Sequence, residues 1–87
     1  MKRAEGYLIK EFGEDYVILP TGKRAEEVNE VITLSETAGF IYLHAEEADN
    51  VIELAKIVSK EYGVEMQIVL QDVQTTLEVL KEKGLIF

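Results

Sequence analysis

The sequence contains no cysteine, no tryptophan and a single histidine. Without cysteine the chain has no disulfides, no thiolate nucleophile, no iron–sulfur ligands and few of the usual structural zinc sites. The lone His44 stands near the acidic residues Glu46, Glu47 and Asp49, but one imidazole beside solvated carboxylates provides too few ligands for a closed metal site. We therefore expect no metal and no cofactor.

Two further absences limit the classes of function. No apolar run approaches the length of a membrane span, and the basic N-terminal segment "MKRAEGYLIKEF" lacks the continuous apolar stretch of a secretory signal. Ser35 and Ser59 have no recognisable base motif, and Gly22-Lys23 lacks the surrounding residues of a phosphate-binding loop. We expect a cytoplasmic protein that is not an enzyme and has no membrane partner.

The charge balance is strongly acidic. Seventeen acidic against nine basic residues give a formal net charge of −8. Such a charge repels phosphate backbones and opposes the counterion release that drives nucleic-acid binding, so we expect no nucleic-acid partner. The 87 residues are enough for a single domain, 1–87, that buries roughly 60 to 65% of its unfolded surface.

The first third of the chain predicts a β-hairpin. The runs "GYLIKEF" and "YVILP" are rich in β-branched and aromatic residues, and the glycine-containing segment "GED" separates them. The alternation places Tyr7, Ile9 and Glu11 on one face and Leu8, Lys10 and Phe12 on the other. Pro20 lacks an amide proton and ends the second strand or sits at a sheet edge.

A polar loop, "TGKRAEEVNE", follows the hairpin. It contains one predicted helical turn over residues 24–28 and leads into "VITL", a predicted third strand over residues 31–34. The question that this arrangement raises is why a small domain uses a long polar loop to deliver so short a strand.

From Ser35 onward the period of the apolar residues becomes helical, and three helices are predicted. Ser35 caps the first, Asn50 with Glu53 forms a capping box for the second, and Gly63 ends the second. The apolar face of the second is Val51, Leu54, Ala55, Val58 and Tyr62. The third covers residues 67–83, stops at Gly84, and has the apolar face Val69, Val73, Leu77 and Leu80.

The order of these elements predicts the fold class. Strands followed by helices indicate an α+β domain rather than a parallel sheet with crossover helices. We expect a three-stranded antiparallel sheet followed by a three-helix bundle, winged-helix-like in outline.

The segments "VILPTGKRAEEVNEVITLSETAGFIY", "YGV" and "QDVQTTLEVLKEKGLIF" resemble the PqqD family, whose small proteins and domains accompany enzymes that modify ribosomally made peptides. The likeness runs from Tyr7 to Phe87. Ser35 stands where asparagine is common, Tyr42 where tryptophan is common, and Val28 where phenylalanine is common.

The resemblance implies a winged-helix-like peptide-recognition domain that acts as a peptide chaperone. In the family, the leader segment of a precursor peptide adds as an antiparallel strand beside the third strand, in a groove formed with the third helix. Carried to this chain, the strand residues that pair through their backbone are Val31, Ile32 and Thr33, and the residue that anchors the strand in the core is Leu34. The helix residues are Val73, Leu77 and Leu80 at the apolar positions and Asp72, Thr76 and Val79 on an adjoining stripe; which flank faces the peptide stays open.

Three hypotheses for function follow. The first is a non-catalytic module that binds a leader peptide and presents it to a modifying enzyme, which the resemblance implies is a radical S-adenosylmethionine enzyme. The second is a winged-helix transcription regulator, and the third is a structural domain that forms a homodimer through the same sheet edge. The third helix has its only basic residues, Lys81 and Lys83, at its C-terminal end, whereas major-groove reading uses the N-terminal part, which disfavours the second hypothesis.

We predict that random duplex DNA does not bind measurably to micromolar protein at physiological salt, because the net charge opposes contact with phosphates. An electrophoretic mobility-shift titration at several salt concentrations measures this. A shift that weakens as salt rises would contradict the prediction and favour the regulator hypothesis.

Overall fold

The computed structural model describes residues 1–27 and 30–87. Within these ranges, three strands and four α-helices follow one another in the order β1 (Tyr7–Phe12), β2 (Asp15–Pro20), α1 (Gly22–Glu27), β3 (Ile32–Leu34), α2 (Glu36–His44), α3 (Val51–Tyr62) and α4 (Met66–Glu82). The three strands form one antiparallel sheet, and α2, α3 and α4 are the predicted three helices. The α+β prediction is therefore confirmed.

The hairpin is tighter than the sequence predicted. Asp15 belongs to β2 and pairs with Phe12, so the loop consists of Gly13 and Glu14 rather than three residues. Gly13 has φ +62° and no non-glycine residue in the described ranges has positive φ. A positive φ at the first loop position alone is the requirement of a type II′ turn, which suits the twist of a two-residue hairpin.

The polar loop after the hairpin contains a helix. The predicted turn over residues 24–28 corresponds to α1, which begins two residues earlier, at Gly22; the position of Val28 lies outside the described residues. The third strand was predicted over residues 31–34, and β3 covers all of these but Val31, which directly precedes it.

The two faces of the sheet differ in burial, and the residues divide between them as the alternation predicted. On one face Ile18 and Ile32 are buried, with Tyr7, Ile9 and Tyr16 partly buried beside them. On the opposite face, Leu8 is 46% and Phe12 67% exposed. The helices therefore pack on the first of these faces.

Helix α2 lies unusually close to the sheet. Ser35 caps it, accepting a hydrogen bond from the Ala38 N–H through its side chain at 3.2 Å. A Cβ atom on Gly39 would lie 2.0 Å from Cδ2 of Tyr16, a distance that no real contact reaches. Only glycine lets α2 approach β2 so closely, and this approach sets how near the middle of α2 lies to the sheet.

Helix α3 has the predicted caps. Asn50 accepts from the Glu53 N–H at 2.9 Å, and the Glu53 carboxylate accepts from the Asp49 N–H at 2.9 Å, one residue earlier than in the usual capping box. Gly63 ends the helix in the left-handed conformation with φ +64°. A 3₁₀ turn, Ala45–Glu47, lies between α2 and α3.

Helix α4 has the predicted apolar face, and Val69, Val73, Leu77 and Leu80 are all buried. They pack with α2, α3 and the sheet in one core, which contains Ile18, Ile32, Leu34, Ile41, Tyr42, Ala45, Ala48, Leu54, Ala55, Val58, Leu85 and Ile86 as its other buried members. None of the described helices is both long enough and apolar enough to cross a bilayer.

The two ends of the chain pair with each other, which the sequence did not predict. Lys2 and Phe87 exchange two backbone hydrogen bonds of 2.9 Å each, and the Ala4 N–H donates to the Leu85 carbonyl at 2.9 Å. Leu85 and Ile86 are fully buried as a result. The guanidinium of Arg3 lies 4.9 Å from the centroid of the Tyr42 ring, which fixes the N-terminal segment against α2.

We predict that Gly39→Ala lowers the free energy of unfolding by about 1–2 kcal/mol, because overpacking costs about 1–3 kcal/mol and the helix gains up to about 1 kcal/mol from alanine. Urea denaturation measures the change. In a Tyr16→Ala background, where the ring is gone, the same substitution should be neutral or stabilising. An equal loss in both backgrounds would contradict the close approach of α2 to Tyr16.

Candidate functional site

Strand β3 is an edge of the sheet. The strands lie in the order β1-β2-β3, so β3 pairs with β2 on one side. In the part of the chain that the structure describes, no strand pairs with its other side. An open edge presents unpaired backbone N–H and C=O groups, to which another extended chain can bind.

The pairing of Pro20 shows which residue pairs of the hairpin exchange backbone hydrogen bonds. In an antiparallel pair of strands, residue pairs that exchange two hydrogen bonds alternate with pairs that exchange none. Pro20 pairs with Tyr7 and has no N–H, so this pair is of the second kind. The neighbouring pair agrees, because the Thr21 N–H donates to the Gly6 carbonyl at 2.8 Å.

The same alternation carries across β2 to β3. Ile18 and Tyr16 belong to pairs that exchange no bonds with β1, so their backbone groups point to β3. Ile18 is opposite Ile32, and Tyr16 is opposite Leu34. Ile32 and Leu34 therefore bond to β2, while Thr33 turns both its N–H and its C=O to the open edge.

The side chains of β3 fit this division. Ile32 and Leu34 are 6% and 7% exposed and anchor the strand in the core, as predicted for Leu34. Thr33 is exposed, and Val31, which precedes the strand, is 56% exposed. Ile32 and Leu34 thus hold the strand in the core, while Val31 and Thr33 are accessible to a partner.

Helix α4 meets both ends of the strand. At the beginning of β3, the Lys83 ammonium nitrogen lies 3.3 Å from a carboxylate oxygen of Glu30. At its end, a cleft of about 450 Å³ separates the first turn of α2 from α4; its lining residues are Ser35, Thr37, Ala38, Gln71, Asp72, Thr75 and Thr76.

The distances along the two elements match. An extended chain from Glu30 to Ser35 covers ~17 Å, and a helix from Asp72 to Lys83 covers ~16 Å. The open edge of β3 and one flank of α4 therefore run side by side in opposite directions. We call the space between them the β3 groove, bounded by residues 31–34 on one side and by Asp72, Thr76, Val79 and Lys83 on the other.

The predicted helix residues fall into two groups. Val73, Leu77 and Leu80 are 0%, 2% and 0% exposed, so their side chains belong to the core and support the groove from beneath. Asp72 and Val79 are exposed and Thr76 is half-buried. With Lys83 these three are spaced by four, three and four residues, which puts them on one stripe of the helix.

Sequence reasoning missed several residues at the groove. Lys83 was read only as a basic residue near the helix end, and Glu30, Thr37, Gln71 and Thr75 were not singled out. Lys83 follows Val79 by four residues and so continues the helical stripe of Asp72, Thr76 and Val79. The spacing in the sequence could therefore have identified it. The contribution of Glu30 depends on how the loop before β3 is placed, which no local pattern indicates.

A second cavity adjoins the groove. This apolar pocket has a volume of about 180 Å³ and lies between α2, α3 and α4. Its lining residues are Thr37, Ile41, Val58, Tyr62, Val64, Val69, Asp72 and Val73. Thr37 and Asp72 also line the cleft at the end of β3, so the two spaces meet at these side chains.

Tyr62 at the pocket carries a neutral phenol at physiological pH. Burial raises the pKa of Tyr62 above its ordinary value, and the carboxylates of Glu36 and Glu61 raise it further. Its ring packs edge-on against Phe40 with the centroids 5.4 Å apart. The pocket therefore has no charged group other than Asp72 at its rim.

Helix α2 ends on a histidine whose ring is engaged with an acidic side chain. His44 hydrogen-bonds to the Glu47 carboxylate through its Nδ1 atom. Across residues 1–27 and 30–87 no three histidine, cysteine, aspartate or glutamate side chains gather as metal ligands. The groove offers backbone groups to a partner, and the adjoining pocket offers apolar contact.

Comparisons with known proteins agree with this architecture. A search of curated proteins finds no match. Among solved structures, the chain is similar to "TbiB1 in Complex with the TbiA(beta) Leader Peptide", with 21% sequence identity, a TM-score of 0.74, and coverage of 99% of this chain and 94% of that one. At this identity the similarity shows a shared fold.

The family comparison is more specific. The model of the family described as coenzyme PQQ synthesis protein D (PqqD) matches residues 15–86, which include β2, β3 and the helices α1 to α4. The resemblance that the sequence predicted is confirmed, and the chain belongs to the PqqD family.

Proposed function

We propose that this protein binds the leader segment of a ribosomally made precursor peptide and presents it to a separate modifying enzyme. The peptide adds as an antiparallel strand in the β3 groove. The observation that carries the proposal is the open edge of β3, where the N–H and C=O of Thr33 face the flank of α4.

The physical basis is strand addition. Backbone hydrogen bonds give affinity that depends little on sequence, while side chains that alternate along the added strand contact the walls of the groove and give specificity. Because Ile32 and Leu34 already bond to β2, the donor and acceptor of Thr33 form the central pair with the added strand. Membership of the PqqD family and the leader peptide bound to TbiB1 support the choice of ligand.

The role that we propose is to raise the concentration of the precursor at the enzyme. Tethering a substrate next to an active site gives effective concentrations up to the millimolar range, so a modest affinity suffices. We infer that the chain contributes no catalytic group and that the enzyme is a radical S-adenosylmethionine enzyme; the family resemblance supports that partner.

We predict that Thr33→Pro weakens binding of the leader peptide by about tenfold to a hundredfold, because it removes the outward N–H and leaves the facing peptide carbonyl unpaired. The substitution removes no hydrogen bond between β3 and β2, so the domain should still fold. Peptides tiled across candidate precursors, chosen from short reading frames in the neighbourhood of its gene and titrated by isothermal calorimetry, measure the change. Thr33→Ala keeps the N–H and should stay within about threefold.

Glu11→Pro is the matched control. Glu11 pairs with Tyr16 across β1 and β2 in a position that exchanges no hydrogen bonds, so its N–H also points away from the sheet, at the opposite edge. This variant should bind the peptide within about twofold of the parent. If a folded Thr33→Pro protein binds like the parent, or if Glu11→Pro is the variant that fails, the peptide uses another surface.

The same edge could pair two copies of this chain. Sedimentation across a range of protein concentrations separates that arrangement from peptide binding. A dimer that Thr33→Pro dissociates, in a protein that binds none of the tiled peptides, would contradict the proposal and favour the dimerising-domain hypothesis.

A further inference from the structure

The polar cleft between the first turn of α2 and α4 begins at Ser35, directly after β3, where a peptide that pairs with β3 would continue. We propose that this cleft takes a lysine or arginine side chain of the bound peptide, with the carboxylate of Asp72 as its partner. The inference rests on the proposed function and adds to it the chemical class of peptide that the groove prefers.

The carboxylate of Asp72 is available to a cation. Asp72 is the one charged residue among those that line the cleft, and it is exposed. The ion pairs formed within residues 1–27 and 30–87 do not include it. At the other end of the groove, the Glu30 carboxylate is already paired with Lys83 at 3.3 Å. A positive charge that enters the groove therefore finds its open partner at Asp72.

The other walls of the cleft suit the donors of a basic side chain. Hydroxyl and amide oxygens accept hydrogen bonds, while lysine and arginine offer several donors and no acceptor. An apolar cavity of about 150 Å³ holds a benzene molecule, so a cleft of about 450 Å³ has room for a basic side chain beside the peptide backbone. The hydroxyl and amide side chains of the lining are Ser35, Thr37, Gln71, Thr75 and Thr76.

The N-terminal end of α2 does not reverse this preference. A helix N-terminus carries a partial positive charge, equivalent to about half an elementary charge, which favours anions. Asp72 supplies a full negative charge in the cleft, and Glu36 supplies another in the first turn of α2. The local charge is therefore negative, and an acidic side chain of the peptide would be repelled.

The direction of pairing determines where the basic residue lies in the peptide. In an antiparallel addition, the peptide residue opposite Leu34 precedes the residue opposite Thr33. Residues further upstream pass Ser35 and enter the cleft. The basic residue is thus about two to four positions before the residue that pairs with Thr33, on the N-terminal side of the pairing segment.

A library of random peptides displayed on phage is the probe. Selection on the whole protein, with removal of peptides that bind Thr33→Pro equally well, leaves the peptides that depend on the open edge. We expect these peptides to share lysine or arginine at one position upstream of the pairing segment. Replacing that residue by glutamine should weaken binding by about twofold to fivefold at low salt, the effect of losing an exposed ion pair. The loss should shrink as the salt concentration rises.

Asp72→Lys tests whether this carboxylate is the cause. Asp72 is exposed on α4, so the substitution should leave the fold intact. The order of affinities should reverse in this variant, so that the glutamate form of a selected peptide binds about twofold to fivefold more tightly than its glutamine form. Asp72→Asn removes the charge without reversing it, and the glutamine and lysine forms should then bind equally.

Glu78→Lys is the matched control. Glu78 is exposed on the same helix, does not line the cleft, and gives the same change in net charge when it is replaced by lysine. This variant should keep the preference for a basic residue. If Glu78→Lys reduces the preference as much as Asp72→Lys does, the net charge of −8 is its cause and the inference is wrong.

Two other results would overturn the inference. Peptides that depend on Thr33 but show no upstream basic residue would contradict it, and so would a basic preference that Asp72→Lys leaves unchanged. Both results leave the proposed function in place, because dependence on Thr33 is measured separately. If no selected peptide depends on Thr33, the proposed function itself fails.

Discussion

The alternation of hydrogen bonds across the central strand β2 is the constraint on which the rest of this site depends. Each residue of β2 directs its backbone groups to one neighbour, so the pairing of Tyr7 with Pro20 determines which residues of β3 bond inwards. Ile32 and Leu34 are committed to β2 by their backbone and to the core by their side chains. Thr33 is left with both backbone groups at the open edge, and a three-residue strand thereby offers one complete hydrogen-bonding position to a partner.

The helices convert that edge into a groove. The first turn of α2 follows β3 directly in the chain, and Gly39 allows the middle of that helix to pack against the ring of Tyr16 on the sheet. The ion pair of Lys83 with Glu30 holds the beginning of the strand near the end of α4. An exposed pair of this kind contributes at most about 1 kcal/mol to stability, so its main effect is on position. The long polar loop before β3 has a use in this arrangement, because it carries the chain from the far end of the hairpin to the flank of α4.

Much of the fold could be predicted from the sequence, since local chemistry determines it. The caps at Ser35, Asn50 and Gly63 and the apolar face of α4 depend on residues a few positions apart. What depends on distant residues was missed: the pairing of the two chain ends at Lys2 and Phe87, the near approach of Gly39 to Tyr16, and the junction of the cleft and the pocket at Thr37. Of the predicted site residues, Asp72, Thr76 and Val79 lie along the groove, while the burial of Val73, Leu77 and Leu80 shows that a stripe of apolar residues identifies the core more readily than a surface.

Amide hydrogen exchange at three consecutive residues tests the central claim most directly. In the free protein, the amides of Ile32 and Leu34 should be protected by their bonds to β2, while the amide of Thr33 should exchange rapidly because it faces the open edge. Addition of a leader peptide should slow exchange at Thr33 and leave its two neighbours little changed. An amide of Thr33 that is already protected in the free protein, or protection gained at Ile9 and Glu11 on the opposite edge instead, would contradict the account.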